Sequence, residues 1–345
     1  MKSRRLTKWL SGLATRRGIP FLAAILALGG AGLVPQAHAS TWDVGDVFAA
    51  VSGGAYNVYS PSGVFKETIN DAVGGFTTGC AFNNTHDKLY TTNFSNGKVV
   101  VFDNGHPHSI LQTITSGDTN PESVVFDGAG NFYVGHAGGT TTIKKFNSLG
   151  LPIGSFSPAT EDRGTDWVDL AADQCTIFYT SEGGKIKRFN VCTSTQLADF
   201  ADIGGVSYAL RLLPPFDGTG GLLVANSASV KRLNGAGAIV QSYDAAGQDQ
   251  WFALSLDPNG TSFWSGSFDT GDFFRFNIST GASEVGPIAT GGSDVLFGLC
   301  VKGEITGAIT APIPTLSEWA QILMVAILVG SGVWILRRRP VTYVR

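Results

Sequence analysis

Thr176–Phe189 reads TIFYTSEGGKIKRF, and its pattern decides the fold. The aromatic pair Phe178-Tyr179 opens a short strand, Gly183-Gly184 marks a turn, and a second strand closes on Phe189. Two β-prone runs around a two-glycine loop read as a hairpin, because tight hairpin turns need positive φ. Text of this kind recurs along the chain. The aromatic or leucine residues closing each second strand are Tyr59, Phe102, Phe146, Phe189, Leu233 and Phe276, spaced 43 or 44 residues apart. The pairs opening the first strands are Val47-Phe48, Leu89-Tyr90, Phe132-Tyr133, Phe178-Tyr179, Leu222-Leu223 and Phe263-Trp264.

A period of roughly 40–45 residues with about four short strands per unit predicts an all-β, six-bladed β-propeller. A helical repeat of this length would show a sustained 3.6-residue period, which these Gly-, Thr- and Ser-rich units lack. The first unit has no innermost strand before Asp46, while Val295–Val301 (VLFGLCV) resembles an innermost strand with no unit after it. Circular closure resolves both: the C-terminal strand completes the N-terminal blade and removes the open edges. Five whole blades and one split blade then span residues 40–302.

The two ends read differently from the body. Six basic residues in 1–17 precede an apolar run, Ile19–Val34, and Ala37-His38-Ala39 supplies a small-x-small cleavage pattern. Residues 1–39 are thus expected to be an export signal cut between Ala39 and Ser40. Thr15-Arg16-Arg17 is too partial a twin-arginine pattern to choose an export route. Residues 303–312 read as a linker. Trp319–Leu336 is apolar except for Gln321 and Ser331 and is followed by Arg337-Arg338-Arg339. It predicts a transmembrane helix, with Trp319 and Trp334 as interfacial anchors and the three arginines as a cytoplasmic stop.

Removing the basic ends leaves 14 basic residues against 27 acidic ones, a net charge of −13. That balance argues against nucleic acid as a partner, since phosphate binding needs clustered cations. The four cysteines fit an oxidising compartment. If Gly183-Gly184 is a two-residue loop, 182 faces 185, 178 faces 189, and Cys175 faces Cys192 in a non-hydrogen-bonded pair. There the Cα atoms lie about 4.5 Å apart, within disulfide reach. A Cys175–Cys192 bridge is expected. Cys80 and Cys300 each fall in an innermost strand beside the closure, where they either staple the ring or stay free and buried.

The tail carries the most specific pattern. Ile313, Pro314, Thr315, Leu316 and Trp319, with the apolar stretch and basic end, resemble the IPTL-CTERM protein-sorting domain of Gram-negative bacteria. Ala320 stands where that signature usually has Gly. The resemblance implies an exported protein held in the inner membrane facing the periplasm, handed to an exosortase-like transpeptidase, and passed to the cell surface or extracellular matrix. A weaker resemblance links Pro121–Phe146 to NHL-type propeller repeats and, further off, to gluconolactonase-type propellers, some of which are metal-dependent lactonases.

In a four-stranded blade, the loops between second and third strands share a face with the blade-to-blade connections. That face, at the channel mouth, is the expected binding surface. It should gather Glu122, Asp166 and Asp294, with Trp167, Tyr208 and Trp251 beside them and His136, Glu182, Asn226 and Asp269 at the ends of second strands. Converging carboxylates suit Ca²⁺ or Mg²⁺, and aromatics suit sugar rings. Solvated loop acids and packing aromatics are the plainer interpretation. The histidines form no cluster, which argues against His-based catalysis or a zinc site. Two functions follow: a non-catalytic envelope protein binding a surface polysaccharide or protein, or a metal-dependent extracytoplasmic hydrolase, lactonase or lyase.

Overall fold

The computed structural model describes residues 41–140 and 143–307. The export signal with its Ala39/Ser40 cleavage point, the sorting motif, the apolar helix and Arg337–Arg339 lie outside the described residues. Among the described residues no helix is long and apolar enough to cross a membrane.

Six separate antiparallel sheets build the molecule. Their innermost strands are Gly298–Val301, Thr77–Phe82, Pro121–Phe126, Val168–Leu170, Leu210–Leu212 and Trp251–Leu256. Five blades run outward in chain order. In the fourth, the outer strand is broken into Thr195–Gln196 and Ala201–Asp202, both pairing with Lys185–Asn190. In the closing blade, Gly298–Val301 pairs with Val47–Val51 in the register Val47↔Val301 to Ala50↔Gly298, and Ala55–Tyr59 and Phe65–Asn70 follow outward. The C-terminal strand therefore completes the N-terminal sheet as expected. Inner and middle strands are buried on both faces because each sheet is sandwiched between its neighbours, whereas outer strands such as Ile110–Thr115 are mostly exposed.

The repeat landmark has a structural meaning. Tyr59, Phe102, Phe146, Leu233 and Phe276 each sit where the register shifts between the third strand and the outer one. A bulge there bends the blade's edge, and a large buried side chain fills the bend. Phe189 holds the same place beside the broken outer strand, opposite Ile177.

The opening hairpin departs from its expected geometry. Thr176↔Asn190 through Tyr179↔Lys187 are the observed pairs, one residue out of the expected register. Neither Gly183 nor Gly184 has positive φ; Glu182 takes the left-handed conformation at φ 48°. The glycines serve close approach instead. A Cβ on Gly183 would lie 2.4 Å from Glu161 Oε2, and one on Gly184 would lie 2.8 Å from the Gly204 backbone. Cys175 and Cys192 are still bridged, with Cα atoms 5.2 Å apart, but Cys192 lies two residues past Asn190, where the ladder ends, and not opposite Cys175. The Cys175 carbonyl accepts from Val191 N–H instead.

A second disulfide joins Cys80 to Cys300, with Cα atoms 5.5 Å apart. It links the innermost strand of the closing blade to that of the next blade, so the ring is stapled at its seam. The ends of the described residues, at Trp42 and Gly307, converge on one end of the channel. Trp42 stacks on His108 at 3.9 Å and donates to Glu67. Lys302 Nζ donates to the Trp42 carbonyl and to Asn104. The expected linker begins with residues that belong to this floor: Glu304 is buried and accepts from Arg211 Nε (2.7 Å) and Leu256 N–H (2.7 Å), and the Gly307 carbonyl accepts from Gln174. A cavity of about 30 Å³ lies there between Phe82, Asp169, Arg211 and Glu304, room for a water or two.

In the chain-entropy treatment a bridge stabilises more when it closes a longer loop. With separations of 220 and 17 residues, the two bridges contribute roughly 5 and roughly 3 kcal/mol. Replacing Cys80 and Cys300 together by Ser should lower the melting temperature more than replacing Cys175 and Cys192. Equal losses in thermal denaturation would show that the seam bridge is not the stronger clamp.

Candidate functional site at the channel mouth

At the opposite end of the innermost strands the channel widens into a cavity of about 700 Å³. That is ample for a drug-sized ligand. Three of the side chains lining it, Thr78, Glu122 and Phe252, owe their direction to β-bulges. The register breaks between Thr77 and Cys80, between Pro121 and Ser123, and between Trp251 and Ala253. Thr78 with Gly79, Glu122, and Phe252 are left out of the ladder at these breaks, and Thr78, Glu122 and Phe252 line the channel.

One wall is aromatic. Phe76 packs on Phe297 at 5.0 Å, Phe297 on Phe268 at 4.9 Å, and Phe252 on Tyr208 at 4.5 Å, with Phe252–Phe297 and Phe252–Phe268 each at 6.1 Å. The facing side is charged. Arg163 pairs with Glu182 at 3.2 Å, and its guanidinium lies over the Phe94 ring at 5.7 Å. Asp269 and Asp294 complete the lining, and Asp269 accepts from the Ser267 hydroxyl at 2.6 Å.

Below the charged side lie two buried acids. Glu122 is 3% exposed and its Oε2 has no hydrogen-bond partner. Asp166, 2% exposed, has none for either carboxylate oxygen. Burial pushes the Glu122 carboxyl up to about 8, and the nearby Glu182 adds to the rise against the opposing pull of Arg163. Burial likewise holds Asp166 well above the usual carboxylate range, reinforced by Glu122 and Glu182. Burial also raises Glu182 and the Tyr208 phenol. At neutral pH Glu122 is therefore largely a neutral acid, able to donate a hydrogen bond or to release a proton, and Asp166 is shifted in the same direction.

The expected site residues divide. Glu122, Asp294, Tyr208, Glu182 and Asp269 line the cavity. Trp167 and Trp251 do not. Trp251 is buried against Phe274 and Phe276 and donates to Asp244, while the Trp167 ring lies under the Arg211 guanidinium at 5.5 Å. The bulge after Trp251 explains the exchange, since it sends Trp251 inward to the core and Phe252 to the channel. Asn226 braces a loop, donating to the Gly204 carbonyl and Ser207 hydroxyl, and His136 is fully buried. Phe76, Phe94, Phe252, Phe268, Phe297 and Arg163 escaped the sequence reading; they occupy loop and strand-start positions where only polar residues and Trp drew attention. Among the described residues no three His, Cys, Asp or Glu side chains stand close enough to enclose a metal ion.

The fold and cavity define a β-propeller with a closed floor and an aromatic, acidic mouth. A chain from the crystal structure of a nidogen/laminin complex is similar at a TM-score of 0.60 and 13% identity, covering 74% of this chain and 98% of that one. At that identity the likeness is one of fold. No curated protein matches the sequence. The model described as the IPTL-CTERM motif matches residues 311–339, the tail and not the propeller. That motif and the two disulfides point to an exported or cell-surface protein.

Glu122 keeps its proton in the fold up to about pH 8 but would lose it near its ordinary pKa, about 4.3, in the unfolded chain. Folding stability should therefore fall as pH rises across that window. Glu122→Gln, which stays neutral, should melt above the wild type at about pH 9, with the gap closing by about pH 5. Parallel pH profiles in scanning calorimetry would show that Glu122 is not the buried acid described.

Proposed function

We propose that this is an exported, membrane-tethered envelope protein whose propeller is a non-catalytic binding module, with its ligand site in the channel-mouth cavity. The sorting motif at 311–339 is the observation that carries the reading. Residues 1–39 direct export and are removed. Residues 313–345 hold the protein in the inner membrane through the helix 319–336, until an exosortase-like enzyme acts at Ile313-Pro314-Thr315-Leu316. The body then passes to the cell surface or extracellular matrix, where a polysaccharide or envelope protein is the expected class of partner. The repeats are read as NHL-like on the resemblance of Pro121–Phe146.

The cavity supports binding over chemistry. Its aromatic wall and its buried acids face each other across about 700 Å³. The metal-dependent hydrolase or lactonase alternative needs a metal cage, which the described side chains do not assemble.

Mass spectrometry of the protein from native cells tests the sorting path. The expected mature form begins at Ser40, ends at or near the 313–319 segment, and carries both disulfides. A species retaining Met1 or an intact Arg345 terminus as the only form would overturn it. Lactone turnover that depends on added Ca²⁺ would restore the enzyme reading.

A further inference from the structure

We propose that the channel-mouth cavity binds a small organic ammonium ion, its charged group set on Glu122 and its apolar body against the wall of Phe76, Phe252, Phe268 and Phe297. This rests on the cavity being the ligand site.

The lining holds four carboxylates, Glu122, Glu182, Asp269 and Asp294, against one guanidinium, Arg163, which is already committed to Glu182. A cavity walled by aromatic faces under excess negative charge favours a cation, since the ring faces carry partial negative charge as well. Glu122 supplies the specific contact. Its Oε2 is buried and lacks any partner, an arrangement that costs free energy unless a donor completes it. An ammonium N–H provides that donor as a charge-assisted hydrogen bond, stronger than one from a neutral hydroxyl. Asp166, below it with two unpartnered oxygens, does not line the cavity. The floor at Glu304 and Arg211 closes the channel, so the ligand enters and leaves by the mouth and is a small molecule.

Proton bookkeeping follows. Because Glu122 is largely protonated at neutral pH, ionic binding transfers its proton to solvent, and the ammonium keeps its own up to roughly pH 10. Glu182, Asp166, Asp162, Arg163 and Tyr208 surround Glu122, with Asp269 and Asp294 across the cavity. Of these only Arg163 is cationic, and it is paired with Glu182. Binding should therefore tighten as pH rises from about 6 to about 9.

The test compares 2-phenylethylammonium with its neutral analogue 2-phenylethanol by calorimetry on the full-length protein in neutral-lipid nanodiscs. The amine should bind about tenfold tighter than the alcohol near pH 8. Its measured enthalpy should vary with buffer ionisation heat in the sense of proton release. Glu122→Gln, checked for melting temperature and intact disulfides, should erase the preference and the proton release. Phe252→Ala should weaken both probes while keeping their ratio. Equal affinity for amine and alcohol, with Phe252→Ala weakening each, would overturn the ammonium assignment and leave the cavity as the ligand site. A preference that survives Glu122→Gln would also overturn it. Failure of both probes to bind, at about 10 mM, would count against the ammonium ion. If Tyr208→Ala and Phe252→Ala also leave recovery of native ligand from cells unchanged, the cavity reading falls too.

Discussion

Everything in this molecule depends on the pairing of Gly298–Val301 with Val47–Val51. A blade of four strands has two edges, and six blades close into a ring only if the first and last segments of the body share one sheet. The joining ladder is short, Val47↔Val301 to Ala50↔Gly298, so the backbone bonds alone hold it weakly. Cys80–Cys300 adds a covalent link at the same seam, and the bonds of Glu304 to Arg211 and Leu256 pin the chain beyond it. With the ring closed, neighbouring innermost strands also bond sideways: the Ser123 hydroxyl donates to the Asp166 carbonyl at 2.7 Å, and the Thr78 hydroxyl to that of Pro121. Those cross-blade bonds fix the geometry of the channel.

The channel is polar in the sense of having two unlike ends. The floor is closed by Arg211, Glu304 and Asp169, acids matched by a guanidinium and backbone N–H groups. Even there burial lifts the Asp169 carboxyl to about 6, with Arg211 opposing the rise. The mouth has acids without matching partners, Glu122 and Asp166. Buried acids that find partners within the fold secure the structure; those that do not are left to meet something from outside.

The period of the repeat was legible because each unit must put a large side chain at its bulged edge, and Tyr59, Phe102, Phe146, Leu233 and Phe276 do so. Closure was legible because an unmatched strand at each end has no other partner. The hairpin register was not, because Gly183 and Gly184 suggest a turn whereas they serve the packing of Glu161 and Gly204. The disulfide survives that one-residue error since Cys192 lies just beyond the ladder, within reach of Cys175. The site was half legible. Loop positions such as Glu182, Asp269 and Asp294 follow from topology alone. Which residue of an innermost strand faces the channel depends on bulges at Thr78, Glu122 and Phe252, and these leave no sequence pattern. Trp251 and Phe252 trade places for that reason.

Because both Trp42 and Gly307 sit on the floor, any anchor beyond Gly307 pulls on the side of the molecule away from its mouth. Such a tug would be directed at the innermost strand of the seam, which would unzip from Val47–Val51 one pair at a time. Cys300 stands next to the last residue of that strand, so once the Val47↔Val301 pair yields, load passes into the neighbouring blade through the disulfide.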